Sequence, residues 1–359
     1  LVVVFVTLSS AIFAQETKSD DVIKVDTQLV DVPVAVLTPG GEPVRGLKAS
    51  NFIVYEDGKR QEIANFSSAA EPFEVALLLD TSGSTRNDLQ LIKRAALEFI
   101  RSLRPGDRVA VISYATERDA TSAYAASEVL VPLTSDRKKL EAAVDRVRTS
   151  NGTPYFDSLE QIAGKVFRDK PTDEFRGRRA LVALTDGVDS TSAGDFESAS
   201  EMIRQIGLIT FFIKVDTREF FESNLLGDCE MAIRFSAAQL RRYYRSIKPG
   251  PRMERVTDFC QLGDFERLAV SKRLYELADG EMDDLAKASG GRVFPIGDLS
   301  DARSAFRSVA DEIGTKYTLA YYPLNEKKDG SFRRIKVEMA GVPKGTVVRA
   351  REGYFAPVK

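Results

Sequence analysis

Three nearly unbroken apolar runs constrain what this chain can fold into. They are Val75-Ala76-Leu77-Leu78-Leu79, Ala180-Leu181-Val182-Ala183-Leu184, and the stretch from Leu208 to Val215. A strand apolar on both faces must be buried on both, the condition of a parallel sheet covered by helices. Apolar residues at helical spacing predict a helix over 88–103, and the pattern adds helices over 136–147, 155–167 and 196–206. Residues 108–115 read as a further strand, and 129–133 as an edge strand, where Pro132 is tolerated. A late helix over 282–289, a strand over 292–296 and a last helix over 302–313 complete the series. This alternation is the order of a doubly wound, mostly parallel, Rossmann-like α/β sheet.

The strand ends carry the chemistry. The first run stops at Asp80-Thr81-Ser82-Gly83-Ser84, and the second at Thr185-Asp186-Gly187. A loop, Asn151-Gly152-Thr153-Pro154, precedes the third helix. The carboxyl ends of parallel strands lie along one edge, which is where ligands bind in such sheets. Asp80, Ser82, Ser84, Thr153 and Asp186 are hard oxygen donors, suited to Mg²⁺, Mn²⁺ or Ca²⁺ rather than zinc. Hydroxyls bring no charge, and two carboxylates leave a dication able to accept one more acidic oxygen. Each residue taken singly also fits a helix cap or a turn.

The 359 residues suffice for two or three domains, and the formal net charge of −2 gives no general argument for nucleic acid. Histidine is absent. That removes Ser-His-Asp and Cys-His nucleophile pairs and the usual base near neutral pH. An Mg²⁺-dependent hydrolase remains the alternative to a binding protein, without an evident general base. A third alternative is a structural envelope module with a stabilising metal.

The pattern Asp80-x-Ser82-x-Ser84, then Thr153, then Thr185-Asp186-Gly187 resembles the metal-ion-dependent adhesion site of von Willebrand factor type A domains. The resemblance covers roughly 73–315 and includes the segment Leu285 to Gly291. It implies that the serines and the threonine contact a cation, preferentially Mg²⁺, with Mn²⁺ or Ca²⁺ as substitutes. It further implies that the aspartates bind directly or through water, and that an Asp or Glu of a protein partner completes the shell. Asp157 matches a commonly acidic position and is expected to support the ligands from behind. Asn151 departs from the glycine common in that family.

Around this domain the pattern changes. Residues 15–72 and 316–359 read as β segments that pair into a small β-sandwich, into which the α/β domain is inserted. Asp57-Gly58 and Asp329-Gly330 are hairpin signals. This layout resembles a group of bacterial secreted proteins related to the same family and best known from acidobacteria. Residues 1–14 read as the apolar core of a signal peptide without its charged start, which implies export to the periplasm, envelope or medium. Membrane attachment is expected only if that segment stays uncleaved. A stretch at about 218–277 interrupts the rhythm as an insertion. It carries Cys229 and Cys260, which an oxidising compartment is expected to join, and a basic cluster at 241–245. That cluster fits a solvated helix face or, alternatively, a site for an acidic partner or polyanion. Glu281, Asp283 and Asp284 read as the acidic first turn of the late helix. The sequence leaves the oligomeric state open.

Overall fold

A computed structural model describes residues 29–67, 71–118, 122–247 and 258–358, with the backbone alone at Ser84, Arg86 and Asn87. The expected signal segment 1–14 lies outside these residues. The first four strands are β1 (Val30–Leu37), β2 (Phe52–Glu56), β3 (Lys59–Gln61) and β4 (Ile63–Ser67). β2 and β3 form the hairpin expected at Asp57-Gly58, where φ values of 46° and 79° supply the two left-handed positions of a tight turn.

Strands and helices then alternate as β5 (Glu74–Leu79), α1 (Leu89–Ser102), β6 (Arg108–Arg118), β7 (Ala123–Thr134), α2 (Arg137–Arg146), α3 (Tyr155–Gln161), β8 (Arg179–Thr185), α4 (Phe196–Gln205) and β9 (Ile209–Val215). After them come α5 (Arg218–Ser223), α6 (Ala237–Ser246), α7 (Asp264–Ser289), β10 (Arg292–Ile296) and α8 (Ala302–Ile313). The chain closes with β11 (Tyr317–Tyr321), β12 (Phe332–Met339), β13 (Val347–Ala350) and β14 (Gly353–Phe355).

The central sheet has the order β10-β9-β8-β5-β6-β7, parallel except for the antiparallel edge strand β7. Its strands alternate between two cores. Val75, Leu77 and Leu79 pack toward Phe99, Leu140 and Phe306 on α1, α2 and α8. Ala76 and Leu78 pack toward Leu159, Ile203 and Leu285 on α3, α4 and α7. Helices on both faces explain why these strands carry no polar alternation. The chain runs from β5 to β6 on one side and later to β8 on the other. The strand order therefore reverses between β5 and β8, the place where open α/β sheets bind ligands.

The chain ends build two antiparallel sheets, β13-β1-β11-β4 and β14-β12-β2-β3. Val32, Val34, Phe52, Val54, Leu319 and Ile335 form a core between them. Glu56 ties the halves together: its Oε2 accepts from Tyr321 Oη at 2.7 Å and Tyr354 Oη at 2.9 Å, and its Oε1 faces Arg333 at 3.5 Å. The hairpin expected at Asp329-Gly330 is not formed. β11 is flanked on both edges by β1 and β4, so the chain crosses to the other sheet and β12 pairs with β2 and β14.

The late helix begins at Asp264, well before 282, so it crosses the expected insertion boundary at 277. Glu281, Asp283 and Asp284 accordingly lie in its middle, not in a first turn. The residues before it pack against its first half, in a core where Leu225, Phe235, Leu240 and Phe259 meet Leu274 and Val188. Cys229 and Cys260 are joined as a disulfide. Arg242 of the basic cluster pairs with Glu281 and lies over the Phe156 ring. It is therefore spent inside the fold. Among the described residues no helix is long and apolar enough to cross a membrane.

Candidate metal centre

Leu79 of β5 lies opposite Leu184 of β8, and the Asp80 amide continues the pairing by donating to the Leu184 carbonyl at 2.9 Å. The two strand ends thus bring Asp80 and Asp186 to one edge at the reversal point. The Asp80 carboxylate is buried. Its Oδ1 accepts from the Ser82 amide at 3.0 Å and its Oδ2 from the Thr185 hydroxyl at 2.8 Å. Asp186 Oδ1 accepts from the Val188 amide at 2.9 Å, and its Oδ2 accepts from the Thr217 hydroxyl. Tyr275 Oη, 2.8 Å from Thr217 Oγ1, extends that chain onto α7. Gly187 has φ near 72°, and a Cβ there would lie 2.9 Å from Met282 Cε. Glycine therefore lets the 186–188 turn sit directly on α7.

The third loop is pinned to the other two. Ser150 donates its amide to the Thr81 carbonyl at 2.7 Å, and Thr81 Oγ1 donates to the Tyr114 carbonyl at 3.1 Å. Thr153 donates its amide to Ser190 Oγ at 2.8 Å and receives the Ser190 amide on its carbonyl at 3.0 Å. Gly152 permits this contact, because a Cβ there would lie 2.6 Å from Thr191 Cγ2. Asn151, the departure from the family pattern, bonds through its amide and its side chain to Thr116 Oγ1. Ser82 and Thr153 are both buried beside the aspartates. Ser84 lies on the 3₁₀ turn Gly83–Asp88, and its side chain is outside the described atoms.

Asp157 does not support the ligands from behind. Its carboxylate accepts the amides of Ala193 and Gly194 at 3.1 and 3.0 Å, which holds the loop after β8 against α3. The sequence reading missed Asp189, a third buried carboxylate. It accepts from the Phe156 amide at 3.2 Å and from Ser192. Thr185, Thr217 and Tyr275 were also missed. Thr185 and Thr217 follow the same strand-end logic that pointed to Asp186, whereas Tyr275 reaches the centre only through the fold.

The electrostatics of the centre call for positive charge. Burial, and then the neighbouring Asp80 carboxylate, push the Asp186 carboxyl up to about 7. Burial pushes Asp80 up as well, against hydrogen bonds from Ser82 and Thr185. Neither carboxylate has an ion-pair partner among the described side chains. Tyr114 and Tyr155 are fully buried with hydroxyls that meet no partner, and the charges of Asp80 and Asp189 act on both. Two like-charged carboxylates and the buried hydroxyls of Ser82 and Thr153 form an oxygen-only donor set that fits a hard dication. No group of three or more Asp, Glu, Cys or His side chains able to hold a metal occurs among the described residues. Hydroxyls would therefore have to complete the set.

Residues 75–188 match the family model of the von Willebrand factor type A domain. No curated protein sequence matches the chain. Among solved structures, the chain is similar to proximal thread matrix protein 1 from the mussel byssus, at 16% identity and TM-score 0.44. That match covers 72% of this chain and 51% of the mussel protein. The chain therefore spans about half the length of that relative. It is also similar to a von Willebrand factor type A protein from Catenulispora acidiphila, at 14% identity and TM-score 0.44 over 93% of this chain and 75% of that one. A third match is the SpRpn10 VWA domain, at 13% identity and TM-score 0.37 over 64% and 93% of the two chains. The matched segment begins on β5 and ends just past Asp186, so it contains both carboxylates and the sheet reversal between them: the chain contains a von Willebrand factor type A domain.

Proposed function

We propose that this chain is a cation-dependent protein-binding module that works outside the cytoplasm. Domains of this type are generally protein-interaction modules. One observation carries the finer reading: two buried carboxylates, Asp80 and Asp186, end adjacent strands at the reversal point of the sheet, with Ser82 bonded to Asp80, and neither has an ion-pair partner among the described side chains. Asp80, Ser82, Thr153 and Asp186, with Ser84 from the same turn, would hold Mg²⁺, or Mn²⁺ or Ca²⁺ in its place. The ion supplies a Lewis-acidic position for a carboxylate oxygen. Thr185 and Thr217 fix the rotamers of Asp80 and Asp186, so the donor set is ordered before an ion arrives. The partner on this reading presents an exposed Asp or Glu.

The region between β9 and α7 supports a role in selecting that partner. Its core contacts Val188, two residues from Asp186, and its Tyr275–Thr217 chain ends on Asp186 itself. The extracytoplasmic assignment rests on the resemblance of the sequence's layout to a bacterial secreted group. The test is affinity capture from envelope extracts with immobilised protein, in Mg²⁺ and in chelator, alongside Asp80→Ala. Partners retained only in Mg²⁺, and lost with Asp80→Ala, support the reading. Partners retained equally under all three conditions overturn it.

A further inference from the structure

The far end of α7 carries a second surface. The helix is fixed to the sheet at its other end, where the Thr210 amide of β9 donates to Ser289 Oγ at 2.9 Å and Met282 packs on the Gly187 turn. The residues before Met282 therefore run past the strand ends, on the side where Asp80 and Asp186 lie. Along the helix, Phe265 stands about 25 Å beyond Met282. Other apolar residues are fastened to that tip. The Gly227 amide donates to Asp264 Oδ1 at 3.3 Å, and buried Arg267 donates through Nη1 to the Leu225 and Gly227 carbonyls at 3.0 and 2.9 Å. These bonds set Leu226 beside the first turn of α7. The Cys229–Cys260 disulfide holds the next turn, in which the Met231 amide donates to the Asp228 carbonyl at 3.2 Å. On the inner side Leu225, Phe235 and Phe259 are buried. On the outer side Phe265 is 91% exposed, Met231 86% and Leu226 42%.

A single exposed apolar side chain needs no explanation, but three fastened to one tip mark a contact surface. Charge decides what fits it. Among residues 224–234 and 258–267, Asp228, Glu230, Asp258, Asp264 and Glu266 are exposed acids, and Arg234 is the one exposed base. The whole chain has a formal net charge of −2, so this excess of acid is local. Such a rim repels an anionic membrane and attracts a basic partner. Met231 and Leu226 are flexible enough to fit apolar side chains of different shape. We propose that the tip of α7 binds a basic amphipathic segment of a protein partner. The apolar residues of that segment meet Phe265, Met231 and Leu226, and its Lys or Arg residues meet the surrounding carboxylates. This contact needs no cation and goes beyond the one at the metal centre, although both lie on one side of the domain.

The test is fluorescence anisotropy of a labelled helical peptide of leucine and lysine, titrated with the full chain in chelator so that a cation at the metal centre takes no part. The comparison probes are the same peptide with glutamate in place of lysine, oligolysine, and phosphatidylserine vesicles. The leucine–lysine peptide should bind about tenfold more tightly than the glutamate peptide or oligolysine, and the vesicles should not capture the chain. Phe265→Ser combined with Met231→Ser should weaken that binding about tenfold, and Glu230→Lys about threefold. All three side chains are exposed, so the variants should keep the parent's circular dichroism. The proposal is overturned if the leucine–lysine peptide does not bind, if either control peptide binds as tightly, if the vesicles capture the chain, or if the double variant binds like the parent. Dimerisation of the parent chain that the double variant abolishes also overturns it, because the surface is then a contact between copies.

Discussion

Asp186→Asn should stabilise the chain in chelator and abolish its response to Mg²⁺. In the cation-free protein Asp186 is buried beside Asp80, and its carboxyl is raised from 3.8 to about 7. An unfolded carboxyl ionises near 4, whereas the folded one holds its proton to about 7. Stability in chelator therefore falls as pH rises through that window. At neutral pH the accumulated penalty is roughly 4 kcal/mol. Asparagine keeps its one oxygen for the Val188 amide and presents its Nδ2 to the Thr217 hydroxyl, which must then accept; it is still a buried polar group, so part of the cost remains. A gain of about 1–3 kcal/mol is expected. The assay is urea unfolding at pH 7 in EDTA and again in excess Mg²⁺. The parent chain should gain about 3 kcal/mol at a hundredfold excess over its dissociation constant, and the variant little or nothing. A variant less stable than the parent in EDTA refutes the claim that these carboxylates repel one another in the empty centre.

Lys316 is fully buried, donates to the Gly290 carbonyl at 2.7 Å, and has its ammonium lowered to about 8 by burial. The unfolded chain holds that proton to higher pH, so stability should rise between about pH 8 and 10.5. Lys316→Met should flatten that rise in denaturation midpoints measured across the range. Glu56→Gln removes the charge facing the buried Arg333 and should cost about 3–5 kcal/mol in urea unfolding. A loss below 1 kcal/mol would argue against Glu56 as the tie between the chain ends. Tyr114→Phe deletes a buried, unpartnered hydroxyl and should raise the melting free energy in EDTA by about 1 kcal/mol. Destabilisation there would reveal a partner for the hydroxyl in the cation-free state.

Much of the domain was legible because its strands are buried on both faces. The runs ending at Leu79 and Leu184 have no polar positions, and those strands are the centre of the sheet. Asp80 and Asp186 could be paired from sequence only by assuming adjacent strand ends, and the β5–β8 register places them so. Local signals failed where long-range pairing decides. Asp329-Gly330 has the residues of a hairpin turn, yet β11 already has a neighbour on each edge. The first half of α7 was overlooked because Val270 and Leu274 face one core while Met282 and Leu285 face another. Burial on two sides blurs the helical stripe that a sequence pattern relies on. Asp157 illustrates the same limit, since its position matched the family but its carboxylate turns to Ala193 and Gly194.

The most direct test of the cation centre is calorimetric titration of the chelator-stripped chain with Mg²⁺, in parallel with Asp80→Ala. A single saturable site in the parent chain, absent from the variant, is the predicted result. No binding in the parent, or equal binding in the variant, contradicts the assignment of Asp80 and its neighbours as the metal centre.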